Sequence, residues 1–318
     1  GQISFCEAIK KRVEQEGGNA SIYINDRKNP GKWILKEGKG KANDEQILFF
    51  NWGDPSNDLK DGTLEAAADY LFAILADTGP VVGLPVNIFK SDKPLHFIAH
   101  SRGNPLLIQL AHRMLKYFPN KKIDHFTLLD PHPANFVIQE LNSTNESLSL
   151  PGIYGLPKNF PFEPYLKLPQ NVIKCDIYSR QADTYESLNA TNGALLEYAD
   201  YSGIYVDQAL NFQLPNIELK KGGTPVVGNI RSGHTAVPEW YIGTILPQDP
   251  MFNTDFELDG TSYSRRQWYS TSLNRNKIGF NLSRVSNGYS ILQNYENGIG
   301  LSELDKRIYN RTYQNLNQ

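Results

Sequence analysis

The chain has 318 residues, a formal net charge of −2 and two cysteines. That length buries a substantial core without disulfides or metals and suits one α/β domain. The balanced charge implies neither a nucleic-acid partner nor an anionic membrane surface.

Cys6 and Cys175 form no CxxC and no Cys/His cluster at zinc spacing, so they read as two separate thiols, with one remote disulfide as the alternative and no metal or cofactor expected. No apolar run approaches the roughly 18–20 residues needed to span a bilayer. The chain starts Gly1-Gln2 rather than with Met, which reads as a processed end. With the high Asn, Tyr and Gly content, this leans toward an exported protein, secreted or periplasmic.

In chain order, Phe5, Ile9 and Val13 have helical spacing, and Gly17-Gly18 marks the stop. Ser21 to Asn25 reads as a short strand and Trp33-Ile34-Leu35 as another, followed by a polar, Gly-rich loop. Gln46 to Asn51 is a nearly continuous apolar run, the pattern of a parallel strand covered on both faces. Thr63 to Asp77 is an Ala-rich helix stopped by Gly79-Pro80. Leu95 to Ile98 reads as a buried strand, the stretch after Asn104-Pro105 as an amphipathic helix to Tyr117, and His125 to Leu129 as the next strand. This alternation predicts a doubly wound, mostly parallel sheet with helices on both faces.

Between Gln139 and Gln170 the alternation stops, and Pro151, Pro157, Pro161, Pro164 and Pro169 interleave with Tyr154, Phe160, Phe162 and Tyr165. A long irregular excursion of this kind is either a lid or a surface-packed loop. Val172 to Ser179 resumes the sheet, and Thr224 to Ile230 reads as a last core strand before Gly233-His234. Beyond Asn253 the tail is polar, with Trp268, Tyr269, Phe280 and Tyr289 spaced like short strands, a small β appendage. Residues 1–250 thus read as one domain with an insertion at 139–170, and 251–318 as an extension packed on it. Asp255-x-Glu257-x-Asp259-Gly260 resembles the start of a calcium loop, but its twelfth position is Arg266, so that reading is rejected.

The chemistry concentrates at Ala99-His100-Ser101-Arg102-Gly103. A serine between a buried strand and a helix, with small residues two before and two after, has the context of a nucleophile elbow. A serine hydroxyl needs a histidine to accept its proton, and that histidine needs an acid to fix its tautomer. His125 falls inside a strand and His132 comes too early, whereas His234 follows Gly233 in what reads as a loop. The acid has two candidates: Asp130, ending the strand after the nucleophile unit, and Asp183, in the loop after the next strand.

These motifs resemble the α/β-hydrolases of the lipase type, most of all the pancreatic-lipase-like branch. Phe50-Asn51-Trp52-Gly53 with Ser56 matches its Asp-Trp strand end, with Asn in place of Asp. His96-Phe97-Ile98-Ala99-His100-Ser101-Arg102-Gly103 matches its nucleophile segment, and Leu129-Asp130-Pro131-His132-Pro133 its acid segment, the last proline one residue early. The resemblance spans roughly residues 46 to 245. It implies Ser101 as nucleophile, Asp130 as acid, His234 as base and the backbone N–H of Arg102 as an oxyanion donor. The substrate would be a small-molecule or lipid ester, with Trp52, Tyr154, Phe160 and Phe162 as its apolar contacts. The family's second oxyanion donor comes from a loop beginning His-Gly; none occurs between Ser21 and Gln46, where the nearest loop is Asn25 to Gly31. Two alternatives stand beside an esterase: a hydrolase of another acyl bond, thioester or amide, and a non-catalytic binding protein that keeps the fold.

Overall fold

The computed structural model describes residues 2–53, 62–77, 79–131, 167–180, 209–214, 220–221, 224–225, 231–246, 255–258, 261–264 and 279–286. The amino-terminal half runs α1 (Gln2–Gln15), β1 (Ala20–Asn25), β2 (Trp33–Glu37), β3 (Glu45–Phe49), α2 (Thr63–Ala76), β4 (His96–His100), α3 (Gly103–Tyr117) and β5 (His125–Leu129). After it come β6 (Cys175–Arg180), β7 (Leu210–Leu214), β8 (Lys220–Lys221), β9 (Thr224–Pro225), α4 (Arg231–Ile245), β10 (Asp255–Leu258), β11 (Thr261–Ser264) and a 3-10 turn at Gly279–Leu282.

Among the described residues the main strands form two sheets. One has the order β4-β5-β6-β7, with every pair parallel. The other has the order β2-β1-β3, with β1 parallel to β3 and antiparallel to the edge strand β2. Arg102, just past β4, lies over the ring of Trp52, just past β3, at 5.5 Å, so these two strand ends are neighbours.

Helices cover both faces. Alternation along each strand sends successive side chains to opposite sides. Phe126 and Leu128 of β5 and Cys175 and Ile177 of β6 join a core with α2 and α3. Leu129 and Tyr178 face the other way, into a core with Ala8 of α1 and Val237, Trp240 and Tyr241 of α4. The helix faces explain their own placement: Leu64, Ala68, Leu71 and Leu75 make the buried stripe of α2, and Ile108, Ala111 and Met114 that of α3. Pro105 sits in the first turn of α3, where a backbone N–H would have no helical partner anyway. The architecture is a mixed α/β layering with a parallel sheet.

Three readings of the carboxyl-terminal half change. Of the strand expected at Thr224–Ile230, only Thr224–Pro225 is a described strand, and it pairs antiparallel with Lys220–Lys221 rather than joining the main sheet. The outermost strand of the parallel sheet is instead Leu210–Leu214. Phe280, read as part of a strand, lies in the 3-10 turn and is buried against α4. Gly279 takes φ 63° there, and a Cβ on it would lie 2.3 Å from Thr244 Oγ1, so the close approach of this segment to α4 requires glycine. The hairpin β10–β11 supplies a described piece of β structure in the tail.

Candidate active site

The carboxyl ends of β3, β4 and β5 carry the residues singled out in the sequence. Past β4 the chain turns at Ser101, whose φ of 55° is the left-handed region that side chains seldom occupy. Arg102 then enters α3 as its N-cap residue, at φ −61° and ψ −15°. The backbone N–H of Ser101 donates to Leu129 O at 3.0 Å, tying the turn to the end of β5. The small residues around the turn meet as expected: a Cβ on Gly103 would lie 3.7 Å from that of Ala99, ordinary contact distance. Ala in place of the usual first glycine therefore fits.

Asp130 follows directly on β5, with φ 42° and a fully buried side chain. Its N–H donates to Tyr178 O at 2.7 Å, fixing it against β6 as well. Among the described residues, Ser101 and Asp130 are the two non-glycine residues with positive φ. They terminate adjacent strands, because His100 pairs with Leu129 in the parallel register.

Trp52 is partly buried against the core formed by α2 and α3, and its ring supports the Arg102 guanidinium. Behind it, Asn25 and Asn51 exchange two hydrogen bonds: Asn51 N–H donates to Asn25 Oδ1 at 2.7 Å and Asn25 Nδ2 to Asn51 O at 3.0 Å. Asn51 Oδ1 also accepts from Gly53 N at 3.0 Å. The Asn25 side chain thus ties the ends of β1 and β3 through the backbone of residue 51, while the Asn51 side chain, where the lipase-type motif has Asp, closes the turn to Gly53.

His234 departs from its expected setting. It lies in the first turn of α4, not in a loop after a core strand. Gly233 reads as part of a loop in the sequence, yet Val237, Trp240, Tyr241 and Ile245 recur at helical spacing and are buried. Pro238 cannot donate to the carbonyl of residue 234, so the helix loses that bond beside His234. The His234 side chain lies outside the described part of the structure. Val237, one turn on, shares a buried cluster with Leu129, the neighbour of Asp130. Asp183, Ser56, Tyr154, Phe160, Phe162 and Tyr165 lie outside the described residues. Of the insertion at 139–170, only residues 167–170 are described. Lys167 O accepts from His112 Nε2 of α3 at 3.1 Å, and Leu168 packs on the core beside α3.

Beneath the strand ends runs a buried polar chain that the sequence did not reveal. His125 Nε2 donates to Asp176 Oδ1 at 2.9 Å and Thr127 Oγ1 donates to the same oxygen at 2.7 Å. Tyr178 OH donates to Asp176 Oδ2 at 2.8 Å and accepts from Gly279 N at 2.7 Å. His96 Nε2 meets Thr127 Oγ1 at 2.9 Å, and its ring stacks on His125 at 4.0 Å between centroids. Burial, then the neighbouring His125, pushes the His96 imidazole well below the usual histidine range. Burial and Asp176 push the Tyr178 and Tyr241 phenols well above theirs, so both stay protonated. His125 is 1% exposed and Asp176 0%, so this His–Asp pair has no access for a substrate. It is a structural network.

Among the described residues no group of His, Cys, Asp and Glu could hold a metal ion, and no helix is long and apolar enough to cross a membrane. Cys6 and Cys175 are both free and buried; burial raises the Cys6 thiol to about 12.

No family model and no curated protein matches the chain. A solved structure from Lactobacillus plantarum WCFS1, described as a cell surface hydrolase, aligns over 80% of this chain and 88% of its own, with 15% identity and a TM-score of 0.38.

Proposed function

We propose that the protein is a serine hydrolase of the α/β-hydrolase type, cleaving an ester with an acyl or lipid character through an acyl-enzyme on Ser101. One observation carries the reading: a serine and an aspartate, both in left-handed backbone conformations, end two adjacent parallel strands. Such conformations persist where the surroundings over-determine them, and they cluster at functional sites. Ligands of open α/β sheets bind outside the carboxyl ends of the strands, the edge at which these residues stand.

In this mechanism Ser101 Oγ attacks the ester carbonyl while His234 takes the hydroxyl proton. Asp130 orients the imidazole and stabilises its charged form. The developing oxyanion accepts a hydrogen bond from the backbone N–H of Arg102, which stands at the start of α3. Collapse breaks the ester C–O bond, and His234 returns its proton to the departing alcohol. Water, deprotonated by His234, then releases the acid from Ser101. Trp52 forms one wall of the acyl path, with Tyr154, Phe160 and Phe162 of the insertion as its lid side. The packing of Phe280 against α4 supports reading 251–318 as an extension on the same domain as 1–250.

The test is hydrolysis of p-nitrophenyl esters of increasing acyl length by the wild-type protein and Ser101→Ala. Activity that rises with acyl length and disappears in the variant supports the proposal. Activity that survives the substitution overturns it.

A further inference from the structure

One side chain joins the nucleophile turn to the acid strand, and no sequence motif pointed to it. Asn104 lies in the first turn of α3 and is fully buried. Its Nδ2 donates twice, to Ser101 O at 2.8 Å and to Leu129 O at 3.0 Å. Both N–H bonds of the amide are thereby used, and both partners are carbonyls, which fixes the orientation of the group. One carbonyl belongs to the left-handed serine; the other immediately precedes the left-handed Asp130.

Three features separate this amide from ordinary helix capping. Neither carbonyl depends on it: Ser101 O also accepts from Asn104 N, and Leu129 O from Ser101 N, each at 3.0 Å. Its own Oδ1 is buried without a hydrogen-bond partner among the described residues, which costs stability. Its position continues the buried stripe of Ile108 and Ala111, where an apolar side chain is the default for a helix on this core. The fold therefore gains little from an asparagine here, whereas its amide adds a side-chain tie to the Ser101 N–H to Leu129 O bond that joins the two strand ends.

We propose that Asn104 is a positioning residue, clamping the Ser101 turn against the strand end that bears Asp130. The inference rests on the serine hydrolase reading above. Holding a reacting group in its productive geometry contributes strongly to rate, and displacement by about 1 Å can cost roughly a hundredfold. Loss of the clamp lowers kcat and leaves KM nearly unchanged, since Asn104 is buried and touches no substrate.

The experiment compares wild type, Asn104→Ala and Asn104→Leu for thermal midpoint, p-nitrophenyl butyrate hydrolysis and fluorophosphonate labelling rate. In whichever variant stays folded, kcat and the labelling rate fall about 10- to 100-fold, and KM stays within about twofold. A folded variant with wild-type kcat and labelling rate overturns the inference. So does loss of folding in both variants, which would make Asn104 a structural residue. A wild-type protein that neither hydrolyses nor labels refutes the hydrolase reading itself, a different result from either.

Discussion

Asp176 offers the sharpest test of what holds the parallel sheet together. Its carboxyl group is fully buried and accepts from His125, Thr127 and Tyr178, at 2.9, 2.7 and 2.8 Å. Asp176→Ala removes all three hydrogen bonds at once. Thr127 can redirect its hydroxyl toward Tyr241 OH, 3.5 Å away, and still accept from His125 Nε2 at 3.4 Å, but Tyr178 O–H is left without an acceptor. An orphaned buried donor costs about 1–3 kcal/mol, so losing the Tyr178 acceptor and weakening that of His125 should cost at least about 2 kcal/mol. Asp176→Asn keeps one acceptor oxygen in the same volume and should cost less than half as much. Urea titration followed by far-ultraviolet circular dichroism measures both. A loss below about 1 kcal/mol in the Ala variant would show that the network contributes little and would refute the reasoning.

Two further outcomes follow from named groups. Burial holds the His96 imidazole below its ordinary range, so the unfolded chain binds the proton more readily than the native state. The stabilisation is then complete above about pH 6.5 and is lost as pH falls below it, by about 1.4 kcal/mol per pH unit within the window. His96→Phe should flatten the thermal midpoint between pH 7 and 5.5, and an unchanged slope would remove His96 as the cause. For the triad acid, Asp130→Asn should lower ester hydrolysis by about four orders of magnitude, by analogy with other triad acids. Asp183→Asn should retain most of it, and the reverse result would transfer the role to Asp183.

The first half of the fold was readable because each element has one dominant local signal. The apolar run around Ile47-Leu48-Phe49 and the Ala-rich helix at Thr63–Ala76 fell within a residue or two of their observed places. Ser101 was readable for the same reason: strand, turn and helix are contiguous, so local sequence alone sets the turn. Helix α4 was not, because Gly233 and Pro238 suggest a break while the tertiary burial of Val237, Trp240 and Tyr241 sustains the helix. Strand β7 carries a short signal, the alternation Leu210-Asn211-Phe212-Gln213-Leu214, set in a polar region. The His125–Thr127–Asp176 network had none. Its members lie 49 and 51 positions apart and meet only because β5 and β6 pair Thr127 with Asp176. Asn104 was legible as a residue next to a proline, but its two acceptors belong to separate strand ends.

The claim on which all the chemistry depends is that Ser101 is an activated nucleophile. Treating the folded protein with a fluorophosphonate probe, followed by digestion and mass spectrometry, tests it directly. An activated Ser101 gives one covalent adduct per chain, on the peptide containing Ser101, and none in Ser101→Ala. A folded wild-type protein that stays unlabelled, or one whose adduct maps to another residue, would contradict it.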